Sequence, residues 1–271
     1  MTEQIMNARM YAVTADVEAA WRALLEHVAA EAGVELSYVP HPAPRPLEDL
    51  WTRPDVGCVL RCGYAIGLEL ARVVPIAAPI PRAPWAKGLP IYRSDLIVRA
   101  DAPFRRLEDT FGGTAGWTVQ HSHSGFNAFR HHLLGFRTAE RPALYGRMVG
   151  RLVTARAVLD AVRDGRIDVG PLDAYWHLLI SRHEPALTAG VRVVATTELA
   201  PMPAFVAAAG TPAETVAALR AAFVAAAARD WFAPYREELL IEGFAAADRQ
   251  HFARTLDWDR AARAAGYPLP A

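Results

Sequence analysis

The densest group of chemically capable side chains is Gly116-Trp-Thr-Val-Gln-His-Ser-His-Ser-Gly-Phe-Asn127, which reads as a strand ending in a polar turn that opens a helix. There Ser122, Ser124 and the Gly125 backbone would sit at a helix N-terminus, where amides without an intrahelical partner and the helix dipole favour an anion. The hydroxyls can add donors. A plainer reading makes Ser122 or Ser124 simply the N-cap, and residue types alone leave both readings standing. Thr14, ahead of an expected helix over 16–32, has the same two readings: a cap, or a ligand donor.

Other tempting groups carry less chemistry. His121, His123, His131 and His132 cluster, yet no three converge on a strand-turn-helix and no Asp or Glu in the turn completes a site, so no metal is expected. His177, and His183 with Glu184, fall on or just after an amphipathic helix and read as surface or interface residues. Cys58 and Cys62 are too few for a disulfide framework or a four-ligand zinc site and read as buried bystanders. No base stands beside either thiol to activate it. Gly112-Gly113 is not a dinucleotide fingerprint, and neither a nucleophile elbow nor a nucleotide phosphate loop is present. No catalytic residue and no cofactor are expected.

The elements that must position these residues follow from periodicity. A strand over Arg9–Val13 precedes an amphipathic helix from Asp16 to Ala32, stopped by Gly33. Strands at Val34–Tyr38 and Val56–Leu60 flank a short helix around Leu47–Trp51, and Pro75–Pro90 reads as a proline-rich connection. A second series runs through strands Ser94–Arg99 and Gly116–Gln120, helices over 124–134 and 149–163, strand Arg166–Gly170, helix Leu172–Ser181 and strand Val191–Thr196. Thr211, Pro212 and Glu214 are placed as N-cap, N1 and N3 of a capping box for a helix to about Arg229. Leu239–Phe244 is a short strand or turn, and Asp248–Ala265 holds one or two helices. Alternating β and α elements predict mainly parallel sheets flanked by helices. Residues 1–90 with 199–271 form one expected lobe and 91–198 the other, joined by two crossings.

Composition removes whole classes of function. The chain has 271 residues, 52% apolar and 21% charged, which is enough to bury a core and too apolar for disorder. Its 29 basic and 29 acidic residues cancel, so the footprint that drives binding to nucleic acid is missing. The apolar stretch Leu199–Ala213 is broken by Pro201, Pro203 and Pro212, and no membrane-spanning segment is expected. Met1–Met10 carries Glu3 and Arg9 and no apolar h-region, so the expectation is a cytoplasmic chain or a periplasmic one whose leader has been removed.

Four segments in order carry a family resemblance: Tyr92-Arg-Ser-Asp-Leu-Ile-Val-Arg-Ala-Asp-Ala-Pro-Phe104, Leu107-Glu-Asp-Thr-Phe-Gly-Gly113, Gln120–Gly125, and Gly165-Arg-Ile-Asp-Val-Gly-Pro-Leu-Asp173. Together they resemble the periplasmic phosphate/phosphite/phosphonate-binding proteins of ABC transporters, mainly over residues 55–200. The resemblance implies an α/β, two-lobed type II binding-protein fold. It also implies that the turn Ser122-His123-Ser124 takes the place of the family's Ser/Thr-rich phosphonate-binding turn, with a histidine as the departure. His123 could donate to an anion, more strongly if protonated, or narrow the pocket. Tyr92 matches the family's cleft tyrosines, and Tyr64 matches them less firmly; either could be a core ring instead. Asp173 stands where the family presents a polar side chain to the ligand. A carboxylate repels a plain anion, so an amino-bearing ligand fits that position better; the alternative role is an N-cap.

The function this implies is a solute-binding protein closing over a small oxyanion, phosphonate or phosphate-like, delivered to an ABC permease if the chain is exported. Two other readings stay open on the same fold: a cytoplasmic enzyme resembling menaquinone-pathway lyases or thiamin-pyrimidine synthases, and a ligand sensor.

Overall fold

A computed structural model of the chain describes residues 4–271. These divide into two compact units: residues up to Tyr92 with Pro201–Ala253, and Arg93–Ala200 with Arg254–Ala271. The backbone thus passes between units after Tyr92, after Ala200 and again after Ala253. Arg254–Ala271, expected in the first lobe, belongs to the second unit and adds a crossing to the two expected. The cause is side-chain chemistry: Tyr267 joins the second unit's apolar core, and Arg130 there pairs with Asp259. The reading of Met1–Met10 as leaderless falls partly on residues 1–3, outside the described residues.

The first unit is built on a six-stranded sheet in the order Ile241–Ala246, Val73–Pro81, Ala204–Ala208, Val56–Arg61, Gln4–Asn7, Leu36–Tyr38. Gln4–Asn7 pairs in parallel with both Leu36–Tyr38 and Val56–Arg61, as strand-helix-strand connections require. Ala204–Ala208 is antiparallel to Val56–Arg61 and Val73–Pro81, and Ile241–Ala246 is antiparallel to Val73–Pro81. Helices Ala15–Ala32 and Ala213–Ala225 pack together. Their faces meet the sheet in an aromatic chain: Trp21 lies 5.9 Å from Phe205, which stacks on Phe223 at 4.9 Å, itself 4.8 Å from Phe244.

The second unit holds a three-stranded antiparallel sheet, Val191–Thr196, Ser94–Arg99, Gly170–Asp173, and a parallel pair, Thr114–Gly116 with Arg147–Val149. Leu96, Val98, Phe129, Leu144, Tyr145 and Val169 form the middle of its core. The expected mainly parallel sheets are therefore corrected to one mixed sheet, one antiparallel sheet and a parallel pair. Alternation along the chain does not say which strands become neighbours.

Several element assignments move for local reasons. The strand expected at Arg9–Val13 lies at Gln4–Asn7, and Arg9–Tyr11 is a single 3-10 turn. The proline-rich connection is largely the strand Val73–Pro81. Pro75, Pro79 and Pro81 share one parity, so the missing N–H groups all fall on alternate positions and the residues between keep theirs. The helix expected from Val149 begins only at Ala155, because Arg151 and Val153 have φ of 57° and 66° and Thr154 then caps it. The capping box at Thr211 does not form: Pro212 is the N-cap residue without a side-chain bond, and the Thr211 hydroxyl accepts from Gln4 Nε2 at 3.2 Å.

Candidate functional site

In the second unit the turn after Trp117 winds as one π-helical turn, His123–Asn127, followed by the α-helix Ala128–Leu133. Ser122 is its N-cap, and its Oγ accepts from the Gly125 amide at 3.0 Å. The Gly125 N–H expected to face an anion is thus engaged within the turn. Accepting leaves Ser122 its own hydroxyl hydrogen, and the residue is only partly buried. Gly125 is also a steric requirement, since a Cβ there would lie 2.0 Å from Thr118 Oγ1.

Ser124 and Asp173 come together across 49 positions of chain: Ser124 Oγ donates to Asp173 Oδ2 at 3.4 Å, and the two residues are 9% and 8% exposed. Asp173 Oδ1 accepts from the amides of Tyr175 at 3.0 Å and Trp176 at 3.1 Å, capping the helix Ala174–His183. One carboxylate oxygen caps the helix, as the N-cap reading expects, and the other turns to the serine turn. Ser94, which lies opposite Asp173 in the antiparallel register, donates its Oγ–H to the Ser124 carbonyl at 2.9 Å and its amide N–H to Thr197 Oγ1 at 2.9 Å. Ser94 falls within the family segment Tyr92–Phe104 without being singled out there, and no motif marks Thr197. Their part depends on strand pairing.

His123 is turned away from solvent, 1% exposed, with its ring stacked on Trp258 at 5.0 Å and Nδ1 3.3 Å from Asn127 Nδ2. Burial, with the neighbouring charges of His131 and Arg254, pushes its pKa down to about 3. Of the states left open for His123, burial favours the neutral, packed ring. His131 stacks on Trp258 at 4.8 Å, and no group of His, Cys, Asp or Glu among the described residues could hold a metal ion. His177, read as a surface or interface residue, places Nδ1 2.8 Å from Asp95 Oδ2 in a partly buried pair. Cys58 and Cys62 are buried and form no disulfide, and burial raises the Cys58 thiol far above reactive range.

In the first unit, the connection leaving Gln4–Asn7 runs to Leu36–Tyr38 on one side and that leaving Val56–Arg61 runs toward Val73–Pro81 on the other, so the strand order reverses between these two strands at their C-terminal ends. Thr14 stands at that end as the N-cap of Ala15–Ala32, its Oγ1 accepting from the Val17 amide at 3.2 Å. Tyr64, on the short helix Gly63–Gly67 after Val56–Arg61, is 2% exposed, and Tyr92 is 1% exposed. The sequence reading passed over Arg9, whose Nε and Nη2 are buried with no hydrogen-bond partner among the described residues. Burial lowers its pKa, partly offset by Glu18.

The two units and their strand order define a binding-protein architecture of the two-lobed class. Residues 12–252 match the family of ABC transporter, phosphonate, periplasmic substrate-binding proteins, and the chain belongs to it. No curated protein matches the chain. Among solved structures it is similar to a binding-protein component of an ABC phosphonate transporter from Pseudomonas aeruginosa, at 16% identity and TM-score 0.80, covering 97% of this chain and 88% of that one. It is also similar to PhnD1 from Prochlorococcus marinus in complex with methylphosphonate, at 14% identity and TM-score 0.77, covering 96% and 98%. A Xanthomonas citri protein bound to ATP matches at 20% identity and TM-score 0.69, covering 98% of each chain. These identities speak to fold, and the family membership makes this chain a solute-binding protein of phosphonate-type ABC transport. No helix among the described residues is long and apolar enough to cross a membrane.

Proposed function

We propose that the solute is a small phosphonate or phosphate-like oxyanion carrying an amino group, recognised on the second unit by Ser122, Ser124 and Asp173 and handed to an ABC permease. The observation that carries this reading is the Ser124 Oγ to Asp173 Oδ2 contact beside a helix-opening turn. A buried carboxylate there opposes a plain dianion and favours a ligand whose ammonium it can pair. With Asp173 occupied by that ammonium, the Ser124 hydroxyl is released to donate to the oxyanion, alongside the Ser122 hydroxyl. On the first unit the candidates are Tyr64, Tyr92 and Thr14, of which Thr14 still has its hydroxyl hydrogen to donate.

The test is a thermal-shift screen followed by calorimetry with methylphosphonate, aminoethylphosphonate, phosphate, a sulfonate and a carboxylate. A ligand that binds only the folded state raises the melting temperature, by more the tighter it binds at a given concentration. The expected result is the largest shift with aminoethylphosphonate, weakened by about 1–3 kcal/mol in Ser124→Ala through the lost donor. Unchanged affinity in that variant, or a response to carboxylates alone, overturns the reading.

A further inference from the structure

A second concavity lies wholly within the first unit, at the other end of its sheet. Arg61, just ahead of Tyr64, pairs with Ala204, whereas Ala208 at the far end of the same strand pairs with Val73. Around Val73 and Ala209 opens a hollow of about 570 Å³ lined by Arg72, Arg220, Arg249, Glu69 and Asp248. That volume suits a small-molecule ligand.

Its charge is not balanced. Arg220 is held rigidly by neutral groups alone: Nη2 donates to Pro75 O at 2.8 Å and Ala247 O at 3.4 Å, and Nε donates to Ile76 O at 3.2 Å. Its Nη1 is not used by any described residue. Arg72 is exposed and has no ion pair among the described residues. Arg249 bonds Val73 O at 3.1 Å and shares its charge with Glu69. Asp248 spends Oδ1 on the amides of Gln250 at 2.8 Å and His251 at 3.3 Å. Arg61, which does not line the hollow, is fully buried: its Nη1 reaches Ala71 O at 3.5 Å, its guanidinium lies 5.5 Å from the Trp51 ring centre, and the charge of Arg249 acts on it. Three guanidinium groups thus face two carboxylates, which leaves a surplus of positive charge in the hollow.

From this charge balance we infer a second binding site, for a small phosphate-bearing molecule gripped by Arg72 and Arg220. Guanidinium groups present paired N–H donors that match phosphate oxygens, and Arg220 is fixed in place before the ligand arrives. The inference is independent of the serine turn and of the solute proposed for it.

Pyrophosphate is the probe, titrated calorimetrically into the full chain, with amide chemical shifts of Val74 and Ala209 as the local readout. The wild type is expected to bind it and move those amides, Ser124→Ala to do the same, and Arg72→Gln to weaken it about tenfold, as the loss of one charge-assisted contact would. Arg220→Gln should abolish the response; because Arg220 also holds backbone carbonyls, Arg72→Gln, on an exposed side chain, keeps the test decisive if that variant does not fold. Failure of the wild type to bind, affinity unchanged in Arg72→Gln, or loss of binding in Ser124→Ala would each overturn the second site.

Discussion

Two single residues in the serine turn make separable predictions. Gly125 has no room for a methyl group beside Thr118 Oγ1, so Gly125→Ala should destabilise the protein by about 1–3 kcal/mol in urea denaturation, the usual range for overpacking. Adding Thr118→Ala removes the obstruction and should restore at least half of that loss; no restoration would place the cost elsewhere. His123 predicts a pH dependence. Its folded-state pKa of about 3 lies below the ordinary value of 6.5, so between those values the unfolded chain takes up a proton that the folded chain refuses. Stability is complete above pH 6.5 and falls as the pH drops toward 3, by up to about 1.4 kcal/mol per pH unit from this residue. His123→Phe should flatten that slope when denaturation midpoints at acid and neutral pH are compared. The residue types of the turn were legible, but the direction of the histidine was not. Trp258, 135 positions away, decides it.

At the scale of elements, Asp173 is the clearest case of one side chain serving two structures. Asp173→Ala removes the cap of Ala174–His183 and should cost about 0.5–2 kcal/mol of stability. Asp173→Asn keeps a capping oxygen but not the charge, so its melting temperature should stay near that of the wild type while its preference for aminoethylphosphonate over methylphosphonate disappears. A preference that survives in Asp173→Asn would exclude the proposed ammonium contact. Elements with strong local signals, such as the helix ended by Gly33 and the strand Ser94–Arg99, appear where periodicity places them. Those that failed did so where local chemistry met a stronger distant demand. Val73–Pro81 is a strand despite its prolines because Ala204–Ala208 and Ile241–Ala246 flank it on both sides. Thr211 gives up its expected cap, and its hydroxyl accepts from Gln4 instead.

For the whole molecule, the last eighteen residues matter most to how the chain divides. Arg130 is 1% exposed, bonded to Asn127 Oδ1 at 2.9 Å and to Pro268 O at 3.0 Å, and paired with Asp259. Asp259→Ala leaves that guanidinium buried and unpaired, and should cost about 3–5 kcal/mol by chemical denaturation. A loss under 1 kcal/mol would show that the C-terminal segment is not integral to the second unit. Composition and charge balance excluded whole classes of function, and the family resemblance carried by four motifs in order implied the two-lobed fold class and a solute-binding role, because motifs depend on residue types and on spacing along the chain. Strand neighbours, the contact of Ser124 with Asp173, the neutral state of His123 and the cation-lined hollow around Arg220 depend on groups far apart in sequence. Tertiary packing alone sets those distances, and with them burial, charge state and hydrogen-bond partners.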